Sequence, residues 1–566
     1  MLRSISAVLL SLSCMTAAVA AVSPITLLHN QCIAFNNDTY FDDQANQAFP
    51  TLEHQIVPLE RHLLAIVNLR DSVQYYRHYA LEPQHREQLL QCQLHLADLF
   101  EQLLQQPTMA LTVDALSQSV DNKLKQLGQQ FSQLNSQQLG QTPKSKLHTA
   151  QATIKRGLAT HDVRLQFGDS RCEIASPQNQ AESAPLNLNV ANYLIRQSDP
   201  DCRQQVWQAY QARAVIRNQA ALTQIKQIKA QQAQANGYTQ ASNFDLSFSY
   251  LTSPEKVKLF LDGHTHQVVA PWDLPQVLKF ADKTKVKTAS RDNLLQQVYQ
   301  LLKPFGLSVE YIGQSQHRLW LDNRLLGELF IRPAKQPKLM TRRIGVVGQQ
   351  FAQIDIALPS TLDSFRQQQR FIAVMAQAIE EMSYSQPYYL LNRGTSRDSI
   401  RKLGQLWLTH YLSEKLLPSI QPGSREAILA DYRQQQRIFR AKVALNFYSE
   451  QANLYDDLPQ QFFNSFGQSW PDANAYPYHF YGIAEQGAVY YQQAWLSALS
   501  RYIYQYNKPC QNQLTIFNAL LINEDALSLT AILTLLLNES LTPTQLIERI
   551  NHAQAAENKH LSTCAS

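Results

Sequence analysis

Apolar side chains recur every three to four residues along most of this chain. Between Arg86 and Phe100, Leu89, Cys92, Leu96 and Leu99 fall on one stripe, the spacing that buries one face of an amphipathic helix. The same signature runs from about Val22 to Cys172. A Pro- and Ser-bearing interruption at Ser176 to Pro185 then separates a first helical region, 21–185, from a second, 186–566. In the second region the pattern predicts helices over Val190 to Arg196, Pro200 to Asn236 and Pro254 to Lys279. Thr252-Ser253-Pro254-Glu255 is a helix start, with Ser253 at the cap and Pro254 in the first turn. The period changes between Tyr311 and Ile356. There, Arg318-Leu319-Trp320-Leu321, Gly327-Glu328-Leu329-Phe330-Ile331 and Ile344-Gly345-Val346-Val347 read as short strands of a small antiparallel sheet at about 311–356. Helices resume near Leu362 and continue to the end, apart from an aromatic loop between Ser469 and Gly487. The fold class expected is mainly α with one small sheet.

Composition agrees with that class. Only 17 glycines occur in 566 residues, and the Leu, Gln and Ala that dominate lose little entropy in a helix. With 45% hydrophobic and 17% charged residues, the chain has enough apolar material for a large core and too much for disorder. The net charge of +5 is small, and no run of five basic residues is present to track a phosphate backbone. Nucleic acid is therefore not an expected partner.

The first 20 residues have the parts of a signal peptide: Arg3, an apolar stretch from Ile5 to Met15, and Ala18-Val19-Ala20 before the cut. The apolar run is shorter than the roughly 20 residues that span a bilayer. After cleavage no membrane span is expected. Cys14 lacks the leucine three places earlier that lipid attachment favours. The mature chain is thus read as exported, periplasmic or secreted. It keeps six cysteines, which in an oxidising compartment form up to three disulfides among 15 possible connectivities. Pairing sequence neighbours gives Cys32 with Cys92, Cys172 with Cys202, and Cys510 with Cys564.

Several segments, in order, resemble the thimet oligopeptidase and oligopeptidase A family of zinc peptidases. Leu222 to Leu261 carries a helix ending in Gly237-Tyr238 and the Ser253-Pro254-Glu255 start. Gly327 to Phe330 is similar to the family's Gly-x-x-Tyr/Phe strand. Gly394-Thr395, Asp398 and Gln405 resemble its Gly-Thr…Asp block, and Tyr490-Tyr491 with Trp495 its Tyr-Tyr run. The resemblance covers roughly Leu186 to Asn551. It implies two helical halves around a central channel, and a zinc held by H-E-x-x-H plus a glutamate on the next helix.

Those ligands are missing. Counting back from Gly394 places Val374 and Ala378 at the histidine positions, Met375 at the general base and Arg401 at the third ligand. No H-E-x-x-H, H-x-x-E-H or H-x-x-x-H occurs anywhere. An aliphatic side chain donates no lone pair, and an arginine repels a dication. No cofactor is expected, although the family would hold zinc. Glu380, Glu381, Asp398 and His410 are the remaining donors nearby. Glu380 and Glu381 read as solvent-facing charge or as partners of Arg397 or Arg401. His54, His62, His78, His85 and His95 are scattered, and His264 and His266, two apart in a helix, are expected on the surface.

What the resemblance leaves is an aromatic, histidine-bearing segment. Tyr478, His479, Tyr481, Tyr490 and Tyr491, with Arg401 as a positive charge, are the candidate contacts for a peptide. The aromatics can equally serve as packing. The sequence is read as that of an inactive peptidase-like protein binding peptide or a protein partner; an active oligopeptidase with an unrecognised site is the alternative. Substrate identity and oligomeric state stay open.

Overall fold

The computed structural model describes residues 22–38, 40–42, 51–159, 165, 170–172, 186–384, 386–393, 400–449, 454–508 and 513–555. The proposed signal peptide, Asp398, Cys510 and Cys564 lie outside these. The chain divides into two compact units. One holds the described residues up to Thr112, with Thr341–Arg343; the other holds Val113–Met340 and the described residues from Ile344 onward. The division falls at Thr112 rather than at the composition break near 185. The helices after Thr112 already belong to the larger core: Ala150 and Ile154 pack in one cluster with Leu222 and Ile225.

In the smaller unit, α1 (Pro24–Ala34), α2 (Leu52–Tyr76) and α3 (Pro83–Leu104) pack together. Leu28, Cys32, Leu69, Val73, Leu89 and Leu96 form their shared core. The Cys32–Cys92 disulfide crosses it with a Cα–Cα distance of 5.7 Å. In the larger unit Cys172 is bonded to Cys202 across 30 residues. Both pairs are the sequence-neighbour pairs expected.

The larger unit is helical around a five-stranded sheet, with a second, two-stranded pairing of Ala289–Ser290 with Thr361–Leu362. Its helices include α4 (Asn122–Gln137), α5 (Gln141–Ala159), α6 (Val215–Ala235) and α7 (Pro254–Gly263). After the sheet come α8 (Phe365–Ser383), α9 (Ile400–Leu416), α10 (Arg425–Tyr448) and α11 (Gln492–Asn507). Ser253 caps α7 as its sequence indicates, accepting from the Lys256 amide. Ser364 and Gln367 close a reciprocal capping box at the start of α8. Two helices are shorter than their pattern. The segment Pro200 to Asn236 breaks between Ala212 and Val215. The run from Pro254 ends at Gly263 and resumes only at Leu274–Phe280; Pro271, which cannot sit inside a helix without losing a backbone bond, lies in the gap.

The sheet comprises β1 (Leu307–Tyr311), β2 (Gln316–Leu321), β3 (Arg324–Pro333), β4 (Lys338–Arg343) and β5 (Ala352–Leu358), in the order β1-β2-β3-β5-β4. β1 with β2 and β2 with β3 are antiparallel, as expected. β3 pairs with β5 in parallel from Gly327↔Ala352 to Pro333↔Leu358. That parallel pairing arises because β4 takes the far side of β5, so the chain re-enters beside β3 running the same way. The segment between Ser469 and Gly487 is not an open loop: it forms short helical turns at Pro471–His479 and Gly482–Gln486.

Residues remote in sequence close the larger unit. The Gln126 side chain donates to the Ala526 carbonyl across 400 residues. Gln151 Nε2 donates to the Ala484 carbonyl at 3.0 Å, across 333. Two glycines permit close approach. A Cβ on Gly327 would meet the Ala352 carbonyl oxygen at 2.7 Å and Met382 at 2.8 Å, so β3 can lie under α8. A Cβ on Gly404 would meet the Leu520 carbonyl oxygen at 2.6 Å.

Backbone cannot swing aside as a side chain can. Gly404→Ala should therefore lower stability by about 1–3 kcal/mol in urea unfolding, whereas Gly313→Ala, with nothing within 4 Å, should leave the midpoint almost unchanged. Equal effects would contradict the close packing of α9 on Leu520. Cys32, Cys92, Cys172 and Cys202 should also resist alkylation, read by mass spectrometry, until reductant is added. Labelling of these four in unreduced protein would refute the two disulfides.

Candidate functional site

A cavity in the larger unit has a volume of about 860 Å³. One wall is a polar stripe on α4: Asn122, Lys125, Gln126, Gln129, Gln130 and Gln133, spaced so that all lie on one helical face. The opposite side of that helix turns Leu124, Leu127 and Phe131 into the core. Further wall comes from Ser247 to Tyr250 and Thr252, from Leu527 to Thr530, and from Tyr384, Gln386, Ile400 and Arg401. Amide and hydroxyl groups predominate, and among the described residues no carboxylate lines it.

Arg401 is the one sequence-predicted site residue on this wall. It is not a free charge. Its Nε donates to Glu380 Oε1 at 2.5 Å and its Nη2 to Glu380 Oε2 at 3.3 Å, a bidentate pair between α9 and α8. Nη1 donates to the Asn392 carbonyl. The side chains are 17% and 5% exposed. Burial acts to lower the Arg401 pKa, but the charge and hydrogen bonds of Glu380 outweigh it and hold the guanidinium protonated. Burial raises the Glu380 carboxyl, and Arg401 opposes this. The charge expected to meet a peptide carboxylate is thus already matched inside the protein.

The positions corresponding to the family's zinc residues do not form a metal site. Met375 and Ala378 are fully buried on the same α8 stripe as Ile372, Ile379 and Met382, and Val374 packs half-buried against that core. A thioether and three side chains without a lone pair to offer do not suit a zinc ion. Among the described residues no three His, Cys, Asp or Glu side chains converge as metal ligands.

The aromatic candidates lie elsewhere: none of Tyr478, His479, Tyr481, Tyr490 and Tyr491 lines the cavity that Arg401 joins. Tyr491 is fully buried, and His479 is 7% exposed. The imidazole of His479 stacks on Trp470 with centroids 5.6 Å apart and lies 5.4 Å from Tyr476. Tyr490 packs on Phe480 at 5.3 Å. Tyr478 is half-buried and its carbonyl accepts from Asn218, while Tyr481 is half-buried against the same core. Each of these rings packs against neighbouring core side chains. His264 likewise leaves the expected surface: at 2% exposure its Nδ1 donates to the Phe260 carbonyl at 3.2 Å. Only His266 remains partly exposed, 2.7 Å from Asp431.

Sequence reasoning missed Gln386. This residue is 1% exposed and its backbone is clamped by Asn392, whose Nδ2 donates to the Gln386 carbonyl at 2.8 Å. Its Nε2 donates to the Asn523 carbonyl. Asn523 can turn that carbonyl inward because it adopts a left-handed conformation, φ 43°, which asparagine tolerates. The Gln386 Oε1 has no partner among the described residues, and the residue lies on the cavity wall. Buried acceptors of this kind are normally satisfied. The signal in the sequence is slight, an isolated Gln before Pro387.

No family model matches the chain, and no curated protein matches it. Solved structures do. A Pyrococcus furiosus carboxypeptidase superposes with a TM-score of 0.51 at 11% identity, covering 89% of this chain and 99% of that one. A Chlamydophila abortus protein described as a peptidase gives 0.53 at 12%, with 93% and 96% covered. This chain has a peptidase-like fold. At such identities the likeness is one of fold alone.

Two outcomes follow from the buried charges. Arg401→Met strands Glu380 without its partner and should cost about 3–5 kcal/mol, while adding Glu380→Leu should recover most of that loss in the same denaturation assay. A single variant as stable as the wild type would disprove the pair. Burial, followed by the charge of Arg213, pushes His479 down to about 3, and burial foremost pushes His264 down to about 4. Unfolding frees both to bind protons near their ordinary pKa of about 6.5. Stability is then fully present above that value and falls as pH drops toward the folded values, at up to about 1.4 kcal/mol per pH unit and per histidine. His479→Phe should flatten part of this slope in thermal melts taken between about pH 4 and pH 7; an unchanged slope would count against the buried neutral imidazole.

Proposed function

We propose that this chain is an exported, catalytically inactive relative of the thimet oligopeptidase and oligopeptidase A peptidases, one that holds a peptide or an extended segment of a partner protein in the 860 Å³ cavity. The observation that carries the reading is the buried Oε1 of Gln386 on the cavity wall, which has no partner among the described residues. A peptide N–H would satisfy that acceptor, and the amide side chains of α4 match the alternating donors and acceptors of an extended backbone. The donor set at Val374, Met375, Ala378 and Arg401 supports loss of hydrolysis, because the general base and every zinc ligand of the resemblance are replaced together. Two disulfides are compatible with export. No helix among the described residues is long and apolar enough to cross a membrane.

With Arg401 already paired, recognition is expected to be indifferent to peptide charge. Calorimetric titration with neutral and acidic pools of short peptides should give saturable binding to both. Gln129→Trp with Thr530→Trp, two exposed wall positions, should crowd the cavity and weaken binding at least tenfold. The purified protein should carry well under one zinc per chain by elemental analysis and leave the peptides intact. A tightly held zinc with peptide cleavage, or binding untouched by the two tryptophans, would overturn the proposal.

A further inference from the structure

Away from the cavity, two helices of the larger unit each present an arginine pair one turn apart: Arg366 and Arg370 on α8, Arg433 and Arg437 on α10. All four are exposed. Among the described residues none is paired with a carboxylate; Arg370 reaches only the Gln336 side chain, at 2.8 Å. Arg433 is close enough to the other three for their charges to lower its pKa, second only to burial.

A third segment joins them. Residues 282–288, in neither helix nor strand, run between the two helices. The Asp282 carbonyl accepts from the Arg425 amide at 2.8 Å, and the Thr284 amide donates to Glu426 Oε2 at 2.7 Å, both at the start of α10. The Lys287 carbonyl accepts from Gln368 Nε2 at 2.8 Å, in the first turns of α8. Burial alternates from Lys283 to Lys287. Thr284 and Val286 are half-buried, while Lys283, Lys285 and Lys287 are exposed. Just before this segment, Phe280 is 78% exposed and Val277 38% exposed, with the Lys279 ammonium 5.4 Å from the Phe280 ring. The exposed carboxylates on these stretches are Asp282, Asp363 and Asp431, and Asp431 is engaged by His266.

Like charges gathered without counter-charges repel one another, and an external anion relieves that repulsion. Guanidinium groups bind phosphate bidentately. The patch is spread over three exposed segments rather than enclosed, so a broad anionic surface fits it better than a single small ion. An exposed aromatic ring flanked by lysines adds the apolar contact that interfacial binding uses. We propose that the face formed by residues 277–287, Arg366, Arg370, Arg433 and Arg437 docks this protein on a phosphate-bearing anionic membrane surface, with the arginines and lysines meeting headgroups and Phe280 entering the interface.

The test is cosedimentation of the purified protein with vesicles of phosphatidylglycerol and phosphatidylcholine, against phosphatidylcholine alone. Binding to the anionic vesicles at least tenfold tighter, and weakened by salt, is expected. The variant R366Q/R370Q/R433Q/R437Q should lose at least tenfold of that affinity while melting no lower than the wild type, since repulsion is removed. The separate variant K283Q/K285Q/K287Q should also bind more weakly, and Phe280→Ser should reduce binding without changing its salt dependence. Equal binding to both vesicle types, no binding, or full binding by the quadruple variant would overturn the proposal. So would displacement from vesicles by millimolar inorganic phosphate at constant ionic strength, which would mark a site for the free ion. The peptide titration reads the cavity separately, so either result can fail alone.

Discussion

A carboxylate and a guanidinium taken out of water together impose the strictest constraint in the larger unit. Glu380 sits on α8 and Arg401 on α9, and each is tolerable at that depth only in the presence of the other. Their bidentate geometry fixes the rotation and height of α9 against α8. α8 in turn is seated on the sheet through the bare Gly327 position beneath Met382. From the same anchor, Arg401 Nη1 holds the Asn392 carbonyl, Asn392 clamps Gln386, and Gln386 reaches Asn523. One wall of the cavity is a chain of polar contacts hung from this pair.

Much of the fold was legible because it is periodic. Ser253 marks a real helix start, helices do resume close to Leu362, and the change of period near Tyr311 marks a real sheet. The parallel β3–β5 pairing was not legible, since nothing local says on which side of β5 a short strand such as β4 will lie. Nor was the end of α7 at Gly263, where Pro271 is decisive only once the following helix is known to begin anew. The neighbour pairing of the described cysteines needed only proximity in sequence.

The candidate site was less legible than the fold. Arg401 was found through its place in a motif, yet its meaning changed, because the partner Glu380 lies 21 residues away and buries with it. Tyr491 and His479 were read as ligand contacts because aromatic residues serve packing and binding with the same surface. Gln386 and the amide stripe of α4 carry no motif at all. A buried acceptor without a donor is a property of three-dimensional surroundings. The likeness to solved peptidases at 11–12% identity fits this division: backbone architecture outlasts the side chains that give it chemistry.

The bond from Gln126 to the Ala526 carbonyl bears on how the molecule comes into being. Its partners stand 400 residues apart, so a ribosome or an export channel delivering the chain from its N-terminus presents α4 long before the residues that will face it. Until those arrive, apolar surface prepared for late segments is open to water and to other chains. The smaller unit, complete by Thr112 except for three residues, meets far less of this delay. For a chain that emerges threaded and unfolded, the larger unit is thus the part that needs a holding factor, and removal of its last helices should expose the early ones to aggregation rather than leave a trimmed but soluble protein.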